Sequence, residues 1–412
     1  MVKDTLKDGW LLSGRSLEDF KKAVADKDAT TSFIRIRTGD GTKVASVREV
    51  TNESVELFYL STDKTDLLDP FNKSLPHTTT KIPRASFEAR GIDEELFTEF
   101  AEQQKFGFLK DGKLIFTSPN VDFVQLGISG PFFRTASSIR DIAVAEAIAK
   151  TPKAITLVCR TEGKTTKAFA LRSGKYAPIE NQNIFKVLDC FKFEDVGEPK
   201  VVKWEITNYI TRIYVQFPKK AAEVASMYKT TDDFIPGLII ETSDTGDCSF
   251  RVIGCWYVRG SCFYINEVSR KHSGDVDIEK ILGEIKKKIF SKYTVLPKKM
   301  VELLMLSLSD MSLKPAKQKK IYENIIKDVS SHIALVDAVG KKVQKQIVEQ
   351  LVDEFNPAEP YTAYDVVTTF INLPKRLEGQ LVPSALRKLQ KAVIQSAFFE
   401  FTPDEEIVLI PA

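Results

Sequence analysis

Residues 236–274, PGLIIETSDTGDCSFRVIGCWYVRGSCFYINEVSRKHSG, place three β-rich runs in succession, at 237–242, 248–259 and 261–268, followed by a lysine-rich helix from about Asp277. Connections of a few residues leave no room for the crossover that parallel neighbours need. The runs are therefore expected as antiparallel neighbours, and the helix completes a β-β-β-α unit. The rest of the chain is read around this unit.

A chain of 412 residues is too long for one ordinary core, and its 43% hydrophobic content is enough to fill two or three. A formal charge of +3 with 28% charged residues implies no global attraction to DNA or anionic membrane, so any such attraction has to be local. The five cysteines, Cys159, Cys190, Cys248, Cys255 and Cys262, are odd in number in a large chain, which favours reduced thiols over a disulfide framework. The charged start Val-Lys-Asp-Thr-Leu-Lys-Asp is unlike a signal peptide, and no apolar run reaches spanning length. The expectation is a protein of the cytoplasm, with no membrane partner.

Along the chain, Ser16 and Asp19 stand at capping-box spacing before a helix that carries Leu17, Phe20 and Val24 on one face. A small meander is expected next, with strands at 33–37, 43–50 and 55–60, then an irregular stretch through 78–83 and a helix over 92–104. Asp111-Gly112 turns a hairpin. A helix over 137–150, a hairpin across Glu162-Gly163-Lys164 and a short helix over 183–193 follow. Residues 203–217 alternate and then shift phase at Ile210, which reads as one long bulged strand. Beyond Gly274 the pattern is helical, at 278–292, 300–309, 318–329, 335–355, 361–373 and 384–399. The fold class is α+β: antiparallel sheets with packed helices, the central β-β-β-α unit and a helical C-terminal region. Its expected divisions are an N-terminal β-rich module over 1–118, a central α+β domain over 119–276 and the helical region over 277–412.

Asp244-Thr245-Gly246 has the form of an aspartic-protease turn, but no second triplet exists to share a proton with it, so a strand connection is the better reading. Cys248, Cys255 and Cys262 recur every seven residues, with His272 ten further on, yet they sit inside strands rather than in the short knuckles of zinc sites. Buried cysteine as a small hydrophobe accounts for them, and neither metal nor cofactor is assigned. A Cys262–His272 nucleophile pair has the same weakness. No phosphate loop of the Walker or Rossmann kind is present.

Positive charge, in contrast, is segregated. Residues 277–350 hold 15 lysines against 9 Asp and Glu. Arg259, Arg270, Lys271 and His272 lead into Lys286, Lys287, Lys288 and Lys292, with Trp256 and Tyr264 just upstream as rings able to stack on bases. Arg172 and Lys175, with Lys164 and Lys167, offer a second phosphate-contacting edge. The competing account is a solvated lysine face, a core filled by the aromatics and edge lysines that prevent aggregation.

These segments resemble a phage, prophage and plasmid family catalogued as domain of unknown function 932. The resemblance is carried by Pro236-Gly237-Leu238 with Thr242-Ser243-Asp244-Thr245-Gly246, by Arg259-Gly260-Ser261-Cys262 and by Arg270-Lys271-His272. The run from Phe169 through Lys175-Tyr176 to Asn181 and the later Tyr361-Thr362-Ala363-Tyr364-Asp365-Val366 add to it. Thr242, Tyr264 and Lys175 stand where the family has Asn, Asn and Arg. The resemblance implies a phage-type source and no known activity. A β-β-β-α unit with a basic helix is also similar in outline to single-strand annealing proteins, an analogy of topology alone.

The function expected is nucleic-acid binding without catalysis, with single-stranded or duplex DNA as partner. The alternative is a virion or host-interaction protein whose partner is a phage or host protein, and a third reading is an enzyme using Asp244, Asp247, Cys262 or His272. A homo-oligomer is compatible with each.

Overall fold

The computed structural model describes residues 5–62, 77–87, 106–126, 137–150, 154–192, 198–218, 235–258, 261–272, 277–289, 307–332 and 335–377, with positions 94, 97, 98, 128, 381 and 389. In chain order the strands are β1 (Leu11–Gly14), β2 (Thr31–Ile36), β3 (Lys43–Val50), β4 (Ser54–Ser61), β5 (His77–Pro83), β6 (Phe106–Lys110) and β7 (Lys113–Thr117). They continue as β8 (Ile155–Glu162), β9 (Thr165–Ser173), β10 (Lys200–Thr207), β11 (Thr211–Gln216), β12 (Ile235–Thr242), β13 (Phe250–Val258) and β14 (Ser261–Arg270). The helices are α1 (Leu17–Thr30), α2 (Ser137–Lys150), α3 (Asn183–Lys192), α4 (Ile278–Lys288), α5 (Pro315–His332), α6 (Leu335–Val339), α7 (Lys341–Asp353) and α8 (Ala363–Arg376).

Two sheets result, and with the packed helices they make the fold α+β. The six-stranded sheet runs β1-β10-β11-β12-β13-β14, every pair antiparallel. The eight-stranded sheet runs β2-β8-β9-β7-β6-β3-β4-β5 and is antiparallel except where β7 lies parallel to β9. The expected β-β-β-α unit is β12-β13-β14-α4.

Period-two alternation sets the faces of the six-stranded sheet. Trp204, Ile206, Ile213, Val215, Leu238, Ile240, Phe250, Val252 and Trp256 point to one side, into a core shared with Phe20 and Val24 of α1, Val187 of α3, Ile281 and Ile285 of α4 and apolar residues of α5, α7 and α8. The other side carries a ladder of opposite charges across neighbouring strands: Glu205, Arg212, Glu241, Arg251 and Glu267. In the eight-stranded sheet Val44, Leu60, Phe108, Leu157 and Leu171 pack under Val144 and Ile148 of α2, while Val47, Leu57 and Phe116 pack with Phe87 and Phe97 on the opposite side. The Ser16 cap forms as expected, its side chain accepting the Asp19 N–H at 3.2 Å.

Several expectations change. β2 leaves the meander and pairs with β8, and 78–83 falls within an edge strand, β5, rather than irregular chain. The run 203–217 is a hairpin of β10 and β11, because the Thr207 hydroxyl accepts the N–H groups of both Tyr209 and Ile210 and turns the chain there. The helix expected over 335–355 is broken at Gly340, whose φ of +83° lies in the left-handed region. Strands on either side of position 118 pair with each other, β2 with β8 and β7 with β9. The helices expected over 92–104, 300–309 and 384–399 lie largely outside the described residues.

Candidate functional site

The connection between β12 and β13 docks the six-stranded sheet onto β8 and β9 of the other. Its turn is closed by the Gly246 N–H to Ser243 carbonyl bond at 3.3 Å and by the Asp247 N–H to Ser243 Oγ bond at 2.9 Å. Thr245 Oγ1 donates to Asp247 Oδ2. Gly246 has φ +76°, and a Cβ there would stand 2.8 Å from Arg172 Nε, so only glycine fits without strain.

Asp244 sits at the centre of this joint, 3% exposed. Arg160 Nη2 donates to both its carboxylate oxygens, at 2.9 and 2.8 Å, and Lys27 Nζ stands 3.4 Å from it. Arg160 also donates to the Asn208 carbonyl at 2.9 Å, and Lys27 to Thr211 Oγ1 at 3.0 Å. Residues of α1, β8, β11 and two connections thus meet at one carboxylate. Burial alone would raise the Asp244 pKa, but Arg160 and Lys27 hold it below the usual carboxylate range. Burial drives the Lys27 ammonium down to about 8, against the opposing pull of Asp244. Beside the centre, Lys167 pairs with Asp8 at 2.8 Å and stands over the Phe169 ring, as Arg160 does.

With both oxygens gripped by one guanidinium and Lys27 beside them, Asp244 is built to stay ionised as an anchor, which supports the strand-connection reading. Cys159, Cys248 and Cys255 are buried, and burial pushes the Cys159 thiol up to about 12, well away from nucleophilic reactivity. No three His, Cys, Asp or Glu residues among the described ones are grouped to hold a metal ion.

On the outer side of the joint the structure brings together two basic segments almost a hundred residues apart. The Ala177 N–H donates to the His272 carbonyl at 3.2 Å, which lays the Lys175-Tyr176 segment against Lys271-His272. Tyr176 stacks on the His272 ring at 5.8 Å and donates its hydroxyl to the Asp244 carbonyl at 2.6 Å. Lys175 and Lys271 are exposed. Arg270 in turn pairs with Glu284 of α4, which also takes Lys288 at 3.1 Å, so the last turn of α4, with Lys286, Lys287 and Lys288 exposed, adjoins the same region. The result is a basic strip drawn from three places in the chain.

Not every expected contact residue is on its surface. Trp256 is 1% exposed, part of the core beneath the sheet, and is not available to stack on a base, which corrects that expectation. His272 is 8% exposed with its ring committed to backbone groups, so it does not reach solvent phosphate. Lys167 is buried against Asp8 and is likewise no phosphate contact. Arg172 is half-buried and donates to the Thr245 carbonyl, near Asp247 at 3.6 Å, which makes it mainly a support of the turn. Tyr264 lies on β14 opposite Cys255, and Arg259 and Lys292 lie outside the described residues. The roles of Lys27, Arg160 and Glu284 went unforeseen. Lys27 and Arg160 carry no local motif, since each meets Asp244 through contacts distant in sequence, and Glu284 joins its local partner Lys288 to Arg270 of the preceding strand.

Fold and site together describe a two-sheet α+β protein with a buried ionic joint and a basic strip beside it. No family model matches the chain, and neither a curated protein nor a solved structure is similar to it.

Proposed function

We propose that this chain is a nucleic-acid-binding accessory protein, without catalysis, that grips the phosphate backbone along the strip of Lys175, Arg270, Lys271 and the end of α4. The observation that carries the reading is the Ala177–His272 backbone bond, which aligns two basic segments that have no reason to meet in sequence. Further along the helical region Lys327 pairs with Glu323, Lys345 with Glu349 and Lys319 with Asp353, as Arg270 and Lys288 pair with Glu284 on the strip. With Trp256 buried, attraction to phosphate rather than stacking on bases is the source of affinity, so single-stranded and duplex DNA are both partners. The family resemblance adds a phage-type origin, acting in the cytoplasm of a bacterial host.

Anisotropy of labelled single-stranded and duplex DNA across a salt series tests this. Binding whose log affinity falls linearly with log salt is expected. Absence of binding at low salt would rule the reading out.

The rival, a virion or host-interaction protein, draws support from a groove of about 430 Å³ between α5 and α7. Val348 and Val352 form an apolar floor, and the Lys327–Glu323 and Lys345–Glu349 pairs stand around it, an arrangement of apolar centre and polar rim. Capture of a phage or host protein that is lost on replacing Val348 with Asp would favour that reading.

A further inference from the structure

We infer that His272 is a positioning residue that holds the two basic segments of the strip together only while its ring is neutral, so that acidification separates them and weakens phosphate binding. The functional half rests on the nucleic-acid reading above; the structural half rests on geometry alone.

The ring has no spare nitrogen. Its Nδ1 accepts the Ile179 N–H at 3.3 Å and its Nε2 faces the Cys248 carbonyl at 2.9 Å, which together fix the neutral tautomer with the proton on Nε2. One side chain thereby ties the β9–α3 connection to the β12–β13 connection, while its own carbonyl takes the Ala177 N–H. A second proton, on Nδ1, would set two donors face to face at Ile179, in a site too enclosed for water to intervene.

The charged and titratable groups that face the ring come from every packed element. Arg172 of β9 opposes its protonation, Asp244 and the Cys248 carbonyl of the β12–β13 connection favour it, and Tyr176 is held neutral because burial raises its pKa. Arg270 and Lys271 precede it in its own segment. Burial outweighs the favourable groups, and the imidazole is held below its usual range.

The sign of the effect is diagnostic. A histidine that touches phosphate strengthens binding when protonated, whereas a positioning histidine of this kind weakens it. The chain has three histidines, so the variant isolates the one responsible.

The experiment compares wild type, His272→Phe and His272→Asn by hydrogen exchange over residues 175–181, corrected for intrinsic rates, and by DNA anisotropy, each at pH 7.5 and 5.5. In wild type, protection of 175–181 and DNA affinity should both fall several-fold at pH 5.5. His272→Phe should lack the protection at both pH values. His272→Asn, which keeps a non-titrating acceptor for Ile179, should restore part of it and remove the pH dependence, and it serves if the Phe variant does not fold. Unchanged protection in both variants, or tighter DNA binding at pH 5.5 that the variants abolish, would overturn the inference. Absence of DNA binding at pH 7.5 would instead defeat the functional reading and leave the exchange data to judge the positioning role.

Discussion

Arg160 holds both carboxylate oxygens of Asp244 through one guanidinium nitrogen, at 2.9 and 2.8 Å, across the joint between two sheets that share no strand. Lys27 approaches the same carboxylate from α1, so two buried cations depend on one anion. Tyr176, next to Lys175 of the strip, donates its hydroxyl to the carbonyl of the same Asp244 at 2.6 Å.

Replacing Asp244 with Asn keeps the shape and removes the charge, leaving Lys27 and Arg160 uncompensated. Loss of about 3–5 kcal/mol is expected, read as a lower urea midpoint, because an unpaired buried charge costs more than the pair gains.

Replacing Lys27 with Met should change stability little or raise it, since the variant keeps the Arg160–Asp244 pair and drops a desolvated ammonium. Equilibrium unfolding of the two single variants separates these cases. A Lys27→Met loss as large as that of Asp244→Asn would contradict this account.

Lys27 also predicts a pH signature. Between pH about 8 and 10.5 the native state sheds a proton that the unfolded chain still holds, so this group's contribution to stability rises with pH in that window. The rise totals about 3 kcal/mol at most. Cys159 and the buried tyrosines act in the opposite sense, since burial raises their pKa values. The difference between wild type and Lys27→Met across pH 7–11 isolates the lysine.

Trp256→Phe should leave DNA affinity unchanged, while Trp256→Ala should lose about 3–5 kcal/mol of stability by opening a core cavity. Paired titration and unfolding measurements decide whether this ring packs or stacks; a selective loss of affinity in the Phe variant would restore the stacking view.

The β-β-β-α unit, the Ser16 cap and the Asp111-Gly112 hairpin were legible in the sequence because their signals are local. The β10–β11 turn was not, since it uses no glycine or proline and depends on one threonine hydroxyl. Nor was the sheet membership of β2, which pairs with a strand more than a hundred residues away. At the site, exposed Lys175 and Lys271 were found from composition, but a basic cluster does not announce which of its members turn inward. His272 and Lys167 did so because each met a polar partner there, backbone groups of Ile179 and Cys248 for the one and Asp8 for the other. Lys27, near the end of an amphipathic helix, carries no local signal that its side chain turns inward.

The most direct test of the basic strip is the salt dependence of DNA binding by a Lys175→Glu/Lys271→Glu variant, beside a Lys81→Glu/Lys113→Glu control on the eight-stranded sheet. The strip variant should bind at least about tenfold more weakly, with a log–log salt slope shallower by about 1–2, and the control should match wild type. Equal losses in both variants, or a strip variant with wild-type affinity and slope, would contradict the account.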